Sequence, residues 1–267
     1  MATRFSILAP PISDELRYEP RRQRVRVSYD GRPVADTCDA WLVWEPRRVV
    51  PRYALPVRDL VADLHAGDDI RPDLASLPPV VPPNLTTTTA PGTEMAIGVD
   101  GQPVGSAYRP ADEDLADRIV LDHEPFTWHE EDEELIGHPR DPFKRIDALA
   151  SSRHVRVCLD GVVLADSTRP VMLLETYLPD RWYLPRADVR LDLLTPTDTH
   201  TTCAYKGVAS YFSYAPARDA GAGIAWTYPA PMNDAVPVTG MVCFLAERCD
   251  LSIDGVDLDR PRTQWSR

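Results

Sequence analysis

The stretch from residue 154 to residue 194, HVRVCLDGVVLADSTRPVMLLETYLPDRWYLPRADVRLDLL, decides the fold because residues 25–64 repeat its pattern. The residues identical at one constant offset are Val155, Val157, Asp160, Gly161, Ala165, Asp166 and Glu175, which fall on Val25, Val27, Asp30, Gly31, Ala35, Asp36 and Glu45. After a one-residue slip, Pro185, Asp188 and Leu193 match Pro56, Asp59 and Leu64. A single duplication predicts two similar units, since a solenoid requires about three or more repeats.

The repeated unit has the pattern of β structure. Val155, Val157 and Leu159 alternate with other residues, and the Asp160-Gly161 pair that follows is typical of a two-residue hairpin turn. Similar Asp-Gly turns recur along the chain, while helical periodicity is nearly absent beyond short turns at 112–117 and 186–191. We therefore expect a mainly β protein of two similar small β-rich units, barrel- or sandwich-like, arranged as an internal pseudo-dimer.

Proline, glycine and acidic runs divide the chain into segments. We predict an N-terminal arm at 1–20, a first and diverged β unit at 21–137, a linker at 138–152 and a second, better preserved β unit at 153–262. The proline- and threonine-rich loop at 65–93 is predicted to be either a functional lid or disordered.

The composition excludes several classes of function. A net charge of −12 argues against nucleic acid, and no long apolar run or basic amphipathic stretch supports a membrane partner. The apolar run at the N-terminus is too short for a signal peptide, so we expect a cytoplasmic protein. Five cysteines without a CxxC pattern, and no HExxH, predict neither a metal nor another cofactor. The chain is expected to be a monomer with pseudo-dimeric units or a homodimer.

Of the 29 basic residues, two are lysines, Lys144 and Lys206. A lysine retained against an arginine background indicates a need for chemistry that arginine lacks, such as titration or nucleophilic attack. For Lys206 we weigh a site role against a structural ion pair with Glu175, which closes an apolar strand in the second copy as Glu45 does in the first. For Lys144, chance is the better explanation.

Reactive side chains concentrate in the second unit. Glu175 and Lys206 are the predicted catalytic acid–base pair, with Cys203 at the edge of the site; the alternative for Cys203 is an inert core residue. The glycine after Lys206 would permit close approach of a ligand. The predicted substrate-binding residues are Tyr183, Tyr211, Trp226, Tyr228, Glu45 and Trp44. The aromatic residues among them could equally be ordinary core.

Several stretches together resemble the DUF427 family, which is also labelled as a nucleotidyltransferase-like domain. The resembling stretches are HVRVCLDGVVLADSTRP, WYLPRADVRLDLL, CAYKGVASY and AWTYPAP, and the joint GHPRDPFKRIDALASSRHVRV is similar to that of two-domain bacterial members. The resemblance implies a small, often duplicated β-rich fold and carries onto Glu175, Tyr183, Pro185, Cys203, Lys206, Gly207, Trp226 and Tyr228. In the first unit Glu45 is kept, but no counterpart of the stretch 203–207 is found, so one site per chain is expected.

These observations predict a small-molecule-binding protein. The leading hypothesis is a cofactor-free hydrolase, lyase or isomerase that uses the Glu175–Lys206 pair on a small polar or aromatic substrate, with the first unit as a cap. The alternative is a non-catalytic ligand-binding or assembly module. A nucleotidyltransferase is less favoured, because the sequence lacks a P-loop and the paired-aspartate motif.

Overall fold

The structure is a computed structural model that describes residues 13–78, 80–81, 88–176, 178–263 and 266. The chain divides into two compact units, with the boundary between Asp141 and Pro142. Each unit is described by itself below.

Among the described residues, the first unit contains eleven strands in two sheets. The strands are β1 (Arg17–Pro20), β2 (Val25–Tyr29), β3 (Arg32–Thr37), β4 (Trp41–Trp44), β5 (Arg52–Pro56), β6 (Asp63–Ile70), β7 (Gly92–Val99), β8 (Gln102–Pro110), β9 (Arg118–Leu121), β10 (Thr127–Glu130) and β11 (Glu133–Glu134). Seven form a large sheet in the order β1-β4-β5-β9-β8-β7-β6, and four form a small sheet in the order β11-β10-β2-β3. Short 3-10 helices occupy Val57–Asp59, Leu74–Ser76 and Glu113–Leu115.

The second unit also contains eleven strands. They are β12 (Ile146–Ala150), β13 (Val155–Leu159), β14 (Val162–Ser167), β15 (Val171–Glu175), β16 (Arg181–Leu184), β17 (Thr195–Cys203), β18 (Gly207–Ser213), β19 (Ala225–Thr227), β20 (Val242–Phe244), β21 (Asp250–Ile253) and β22 (Val256–Asp257). The large sheet has the order β12-β15-β16-β20-β19-β18-β17, and the small sheet has the order β14-β13-β21-β22. The 3-10 helices are Arg186–Asp188, Leu191–Leu193, Ala215–Ala217 and Asn233–Val238, and Arg218–Gly221 forms one α-helical turn.

The two units share one topology. Strands β12 to β22 occupy, in chain order, the same positions in their sheets as β1 to β11. The register agrees as well: Leu55 pairs with Ile119 in the first unit, and Leu184 pairs with Val242 in the second. The mainly β class is thus confirmed. The pseudo-dimeric packing of the units stays a prediction.

The Asp-Gly turns adopt the conformation that their sequence predicts. In all four, both residues have positive φ: Asp30 and Gly31, Asp100 and Gly101, Asp160 and Gly161, and Asp254 and Gly255. Two consecutive positive φ angles define a type I′ turn, whose twist matches that of the adjoining strands. These turns therefore fix the hairpins β2–β3, β7–β8, β13–β14 and β21–β22.

Three expected segment boundaries differ from the structure. Arg17–Pro20, placed in the N-terminal arm, forms edge strand β1, and Ile146–Ala150, placed in the linker, forms edge strand β12. Both segments lack the continuous burial of inner strands such as β9 and β16, because an edge strand is only partly covered by its neighbours. The loop expected at 65–93 includes most of β6 and the start of β7; its residues 79 and 82–87 lie outside the described part of the chain.

Each large sheet buries apolar residues on both faces. In the second unit, Trp182 and Leu184 of β16 join the main core, which includes Val155 and Val157 of the small sheet. Tyr183, between them in the sequence, joins a second cluster on the opposite face. Alternate residues of a strand point to opposite faces, so this second cluster lies away from the small sheet. Its described members come from the large sheet, the residue that follows β19, and the segment 229–241.

One edge of each large sheet is polar. Strand β17 reads TPTDTHTTC and is exposed along most of its length, and strand β6 reads DLHAGDDI and is similarly exposed. Both occupy the end of their sheet, where backbone groups on one side have no neighbouring strand. Neither edge therefore offers an apolar surface.

The buried imidazole of His123 makes the stability of the first unit depend on pH. Its ring stacks on Trp128 with centroids 5.6 Å apart. Burial, with a smaller contribution from the charge of His138, lowers the pKa of His123 from 6.5 to about 4. The folded chain therefore keeps this imidazole neutral at pH values where the unfolded chain protonates it.

We predict that stability falls as the pH is lowered from about 6.5 to about 4, because only the unfolded state gains a proton on this side chain in that window. The loss attributable to His123 should be on the order of 3 kcal/mol. Urea unfolding of the wild type and His123→Gln at several pH values measures it: the variant should show a shallower pH dependence across the window. Equal slopes for the two proteins would contradict the assignment.

Candidate functional site

Glu175, at the end of β15, is the centre of a charged cluster in the second unit. Lys206 Nζ donates to Glu175 Oε2, and Lys144 Nζ lies 3.4 Å from Glu175 Oε1. The side chains of Glu175, Lys206 and Lys144 are 7%, 10% and 18% exposed, so the cluster is mostly buried and Lys144 is its most accessible part. Both lysines of the sequence thus contact one carboxylate, and the attribution of Lys144 to chance is not supported.

The chain itself covers Lys206. Lys206 lies in the turn between β17 and β18, and its carbonyl oxygen accepts a hydrogen bond from Met232 N at 3.1 Å. The next residue, Gly207, has φ +95°, and a Cβ there would lie 3.2 Å from the Ala230 carbonyl oxygen. The close approach expected at this glycine is therefore made by the chain's own segment 229–241, which we call the cover segment, and not by a ligand.

The four aromatic residues predicted as pocket walls do meet in one cluster. Trp226 Nε1 donates to the Tyr183 hydroxyl at 3.0 Å, and the two rings pack edge to face with centroids 6.3 Å apart. Tyr211 lies against Trp226 with centroids 6.4 Å apart. Tyr228 is 5% exposed, and burial raises the pKa of both Tyr183 and Tyr228. Their hydroxyls therefore stay protonated and can donate hydrogen bonds.

The remaining predicted site residues are less closely involved. Cys203 is the last residue of β17, pairs with Gly207 across the hairpin and is partly exposed as a free thiol. Trp44 and Glu45 belong to the first unit. Trp44 packs in the core there and its Nε1 donates to Asp141 Oδ2 at 3.3 Å. Glu45 forms the centre of a separate charged cluster.

In the first unit, Glu45 is completely buried and is held by arginines. Arg52 pairs with Glu45 directly, and Arg48 Nε lies 3.4 Å from Glu45 Oε1. The Thr89 backbone N–H donates to Glu45 Oε2 at 2.7 Å. A second carboxylate, Asp122, accepts from Arg52 at 2.9 Å. Two guanidinium groups therefore face two carboxylates, and the cluster is balanced in charge.

Strand register identifies Thr89 as the counterpart of Lys206. Glu94 pairs with Tyr108 in the first unit as Tyr211 pairs with Trp226 in the second, and Tyr108 and Trp226 hold equivalent places beside Val120 and Cys243. Counting five residues back from Glu94 and from Tyr211 gives Thr89 and Lys206. The expectation of no counterpart is thus corrected in part: the position exists, but a backbone N–H replaces the ammonium.

The second unit contains another buried ion pair, between Arg181 and Glu247, which the sequence pattern does not predict. Arg181 donates to both carboxylate oxygens of Glu247, at 2.7 Å each, and Thr263 Oγ1 donates to Glu247 Oε1 at 2.8 Å. Burial opposes ionisation of Glu247, but Arg181 outweighs it and holds the pKa below its ordinary value. Arg181 corresponds to Arg52 at the one-residue slip of the repeat. This matched and fully hydrogen-bonded pair has the geometry of a structural element.

Among the described residues, no group of three or more His, Cys, Asp or Glu side chains converges as a metal site would require. None of the helices that the structure describes has the length and apolar character needed to cross a bilayer.

The comparison with known proteins concerns the second unit. Residues 147–255 match the model of a family described as a domain of unknown function, DUF427. This range contains the strands of the second unit except the first residue of β12 and the whole of β22, and it includes Glu175 and Lys206. No curated protein matches the chain.

Because both lysines contact Glu175, we predict that Glu175→Gln perturbs both at once. Protein labelled with ¹³C and ¹⁵N in lysine gives two side-chain spin systems, and both should move in this variant because each ammonium loses its carboxylate. Glu247→Gln, which removes the carboxylate of the other buried pair, should leave both in place. Movement of one lysine alone would contradict the shared contact.

Proposed function

We propose, from the premise that the second unit is a DUF427 domain, that this unit binds a small polar or aromatic molecule and acts on it by cofactor-free proton transfer. The observation that carries the proposal is the direct contact between Glu175 and Lys206. A carboxylate and an ammonium held side by side supply a proton acceptor and a proton donor within reach of one bound molecule. The reaction would be of the hydrolase, lyase or isomerase type.

The surroundings of the pair support this role. Glu175 and Lys206 retain 7% and 10% exposure, so the pair is largely removed from water. Low exposure strengthens the interaction of such groups with a substrate, since fewer water molecules compete for them. Tyr183 and Tyr228, neutral hydroxyl donors in the same unit, add polar groups beside aromatic surface. Mostly apolar walls with a few polar groups are typical of small-molecule sites.

In the proposed reaction, Glu175 accepts a proton from the substrate while Lys206 stabilises the negative charge that develops on it. For this, a substrate must separate the two side chains or bind along their exposed edge, where Lys144 is the most accessible member. Lys144, which also contacts Glu175, would hold this carboxylate in place when Lys206 turns to the substrate.

The alternative is a non-catalytic ligand-binding or assembly module. One observation favours it: Glu175 and Lys206 already satisfy each other, and the cover segment packs over the lysine backbone through Met232. A buried ion pair can serve the fold alone.

A thermal-shift screen of the intact chain against a panel of small metabolites tests the binding step. Compounds that raise the melting temperature of the wild type should lose at least tenfold in affinity in Glu175→Gln and Lys206→Met. Glu247→Gln is the matched control, because it disrupts a buried ion pair of the same unit and should keep the affinity within twofold. Compounds that bind all four proteins equally would place the ligand elsewhere.

Proton transfer is tested with the same compounds in D₂O. The wild type should convert a bound compound or exchange one of its C–H protons for deuterium, as followed by NMR, and Glu175→Gln should slow this by at least a hundredfold. Affinity that depends on Glu175 and Lys206, without conversion or exchange, would support the binding-module alternative.

A further inference from the structure

The two equivalent clusters differ in their balance of charge. In the first unit, Glu45 and Asp122 face Arg48 and Arg52, which gives two negative and two positive groups. In the second unit, the Arg counterpart, Arg181, is neutralised separately by Glu247.

Apart from Arg181 and Glu247, the cluster of the second unit contains one carboxylate, that of Glu175, and the two ammonium groups of Lys144 and Lys206. Among the described residues, the ion pairs of Lys144 and Lys206 are those with Glu175. In the second unit, the position equivalent to Asp122 is occupied by an uncharged residue. Val120 and Cys243 are equivalent by register, so Asp122 falls on Leu245, which carries no charge and packs against the main core. Asp122 pairs with Arg52 in the first unit, and the counterpart of Arg52, Arg181, pairs with Glu247, so the second cluster differs from the first by one additional positive charge.

An excess positive charge in a mostly buried cluster is unfavourable, because burial removes the water that would solvate it. The protein as a whole carries a net charge of −12, so this local excess runs against its overall charge. The most direct compensation is an anion bound beside the more exposed of the two ammonium groups. Lys144 is the accessible group through which it would enter, being 18% exposed where Glu175 is 7% exposed.

We infer that the site of the second unit selects small organic anions, and that Lys144 is the residue that holds the carboxylate group of the ligand. This inference rests on the proposed function, whose substrate class it names. Lys206 and Glu175 then remain available for proton transfer, while Lys144 determines specificity by its charge. An ammonium is suited to holding a ligand at the exposed side of the cluster, since it is a compact charge on a flexible stem and can follow a ligand as it enters.

The test uses lysine-labelled full-length protein titrated with sodium acetate, at an ionic strength held constant with sodium chloride. The Lys144 and Lys206 side-chain signals should shift along a saturable curve with acetate. Acetamide, a neutral compound of the same shape, should produce no saturable shift. Equal effects of acetate and acetamide, or a linear response to acetate, would overturn the inference.

Substitutions of Lys144 and of its neighbour Arg145 test whether Lys144 holds the anion. Lys144→Gln leaves one ammonium for one carboxylate and should weaken acetate binding at least tenfold, as read from the Lys206 signal, while Lys144→Arg should restore most of it. Arg145→Gln is the matched control: it removes one positive charge from the next residue, which is 79% exposed and pairs with Asp147, and should change the affinity less than twofold. Equal weakening by Lys144→Gln and Arg145→Gln would reduce the effect to general electrostatics and refute the assignment.

The inference and the proposed function can fail separately. If the metabolite screen yields only neutral or cationic ligands that depend on Glu175 and Lys206, the anion inference is wrong and the proposed site stands. If anions bind through Lys144 but no ligand is converted or exchanged, the anion inference stands and the catalytic proposal is wrong.

Discussion

A buried glutamate at the end of a sheet strand is the constraint around which both units are built. Removing a carboxylate from water is costly unless cations and hydrogen bonds compensate it. Glu45 and Glu175 occupy the same topological position, and in each unit distant segments converge to supply the compensation. In the second unit these segments are the residues before β12 and the turn before β18; in the first they are the residues around β5 and before β7. The carboxylate therefore ties the edge of the large sheet to its far strands.

The two units compensate the charge of the buried glutamate with different groups. The first unit encloses its glutamate with two arginines, a backbone N–H and a further carboxylate, and it excludes water completely from the glutamate. Guanidinium groups are always charged and form directed pairs, so the positive charges of this cluster are permanent. The second unit uses two lysines and leaves part of both exposed. The two units thus share one topology but surround the equivalent glutamate with different cations.

Local patterns in the sequence predicted local structure well. The Asp-Gly turns, the alternating strands and the equivalence of Glu45 with Glu175 were readable because turn conformation and strand alternation depend on neighbouring residues. Lys206 was paired with Glu175 from composition and the rarity of lysine. Lys144 was missed because it lies in a charged stretch without periodicity, 31 residues before the glutamate it contacts. Thr89 was missed because its role belongs to its backbone, which leaves no mark in side-chain patterns.

The polar edge strands β6 and β17 bear on the aggregation of the chain at high concentration. An open seven-stranded sheet presents a row of free amide and carbonyl groups to any extended segment of another molecule. Threonine, aspartate, histidine and proline along β17, and three aspartates along β6, make that row a poor template for self-propagating strand addition. Two open sheets in one polypeptide would double the hazard of fibre formation, and these side chains act as gatekeepers against it.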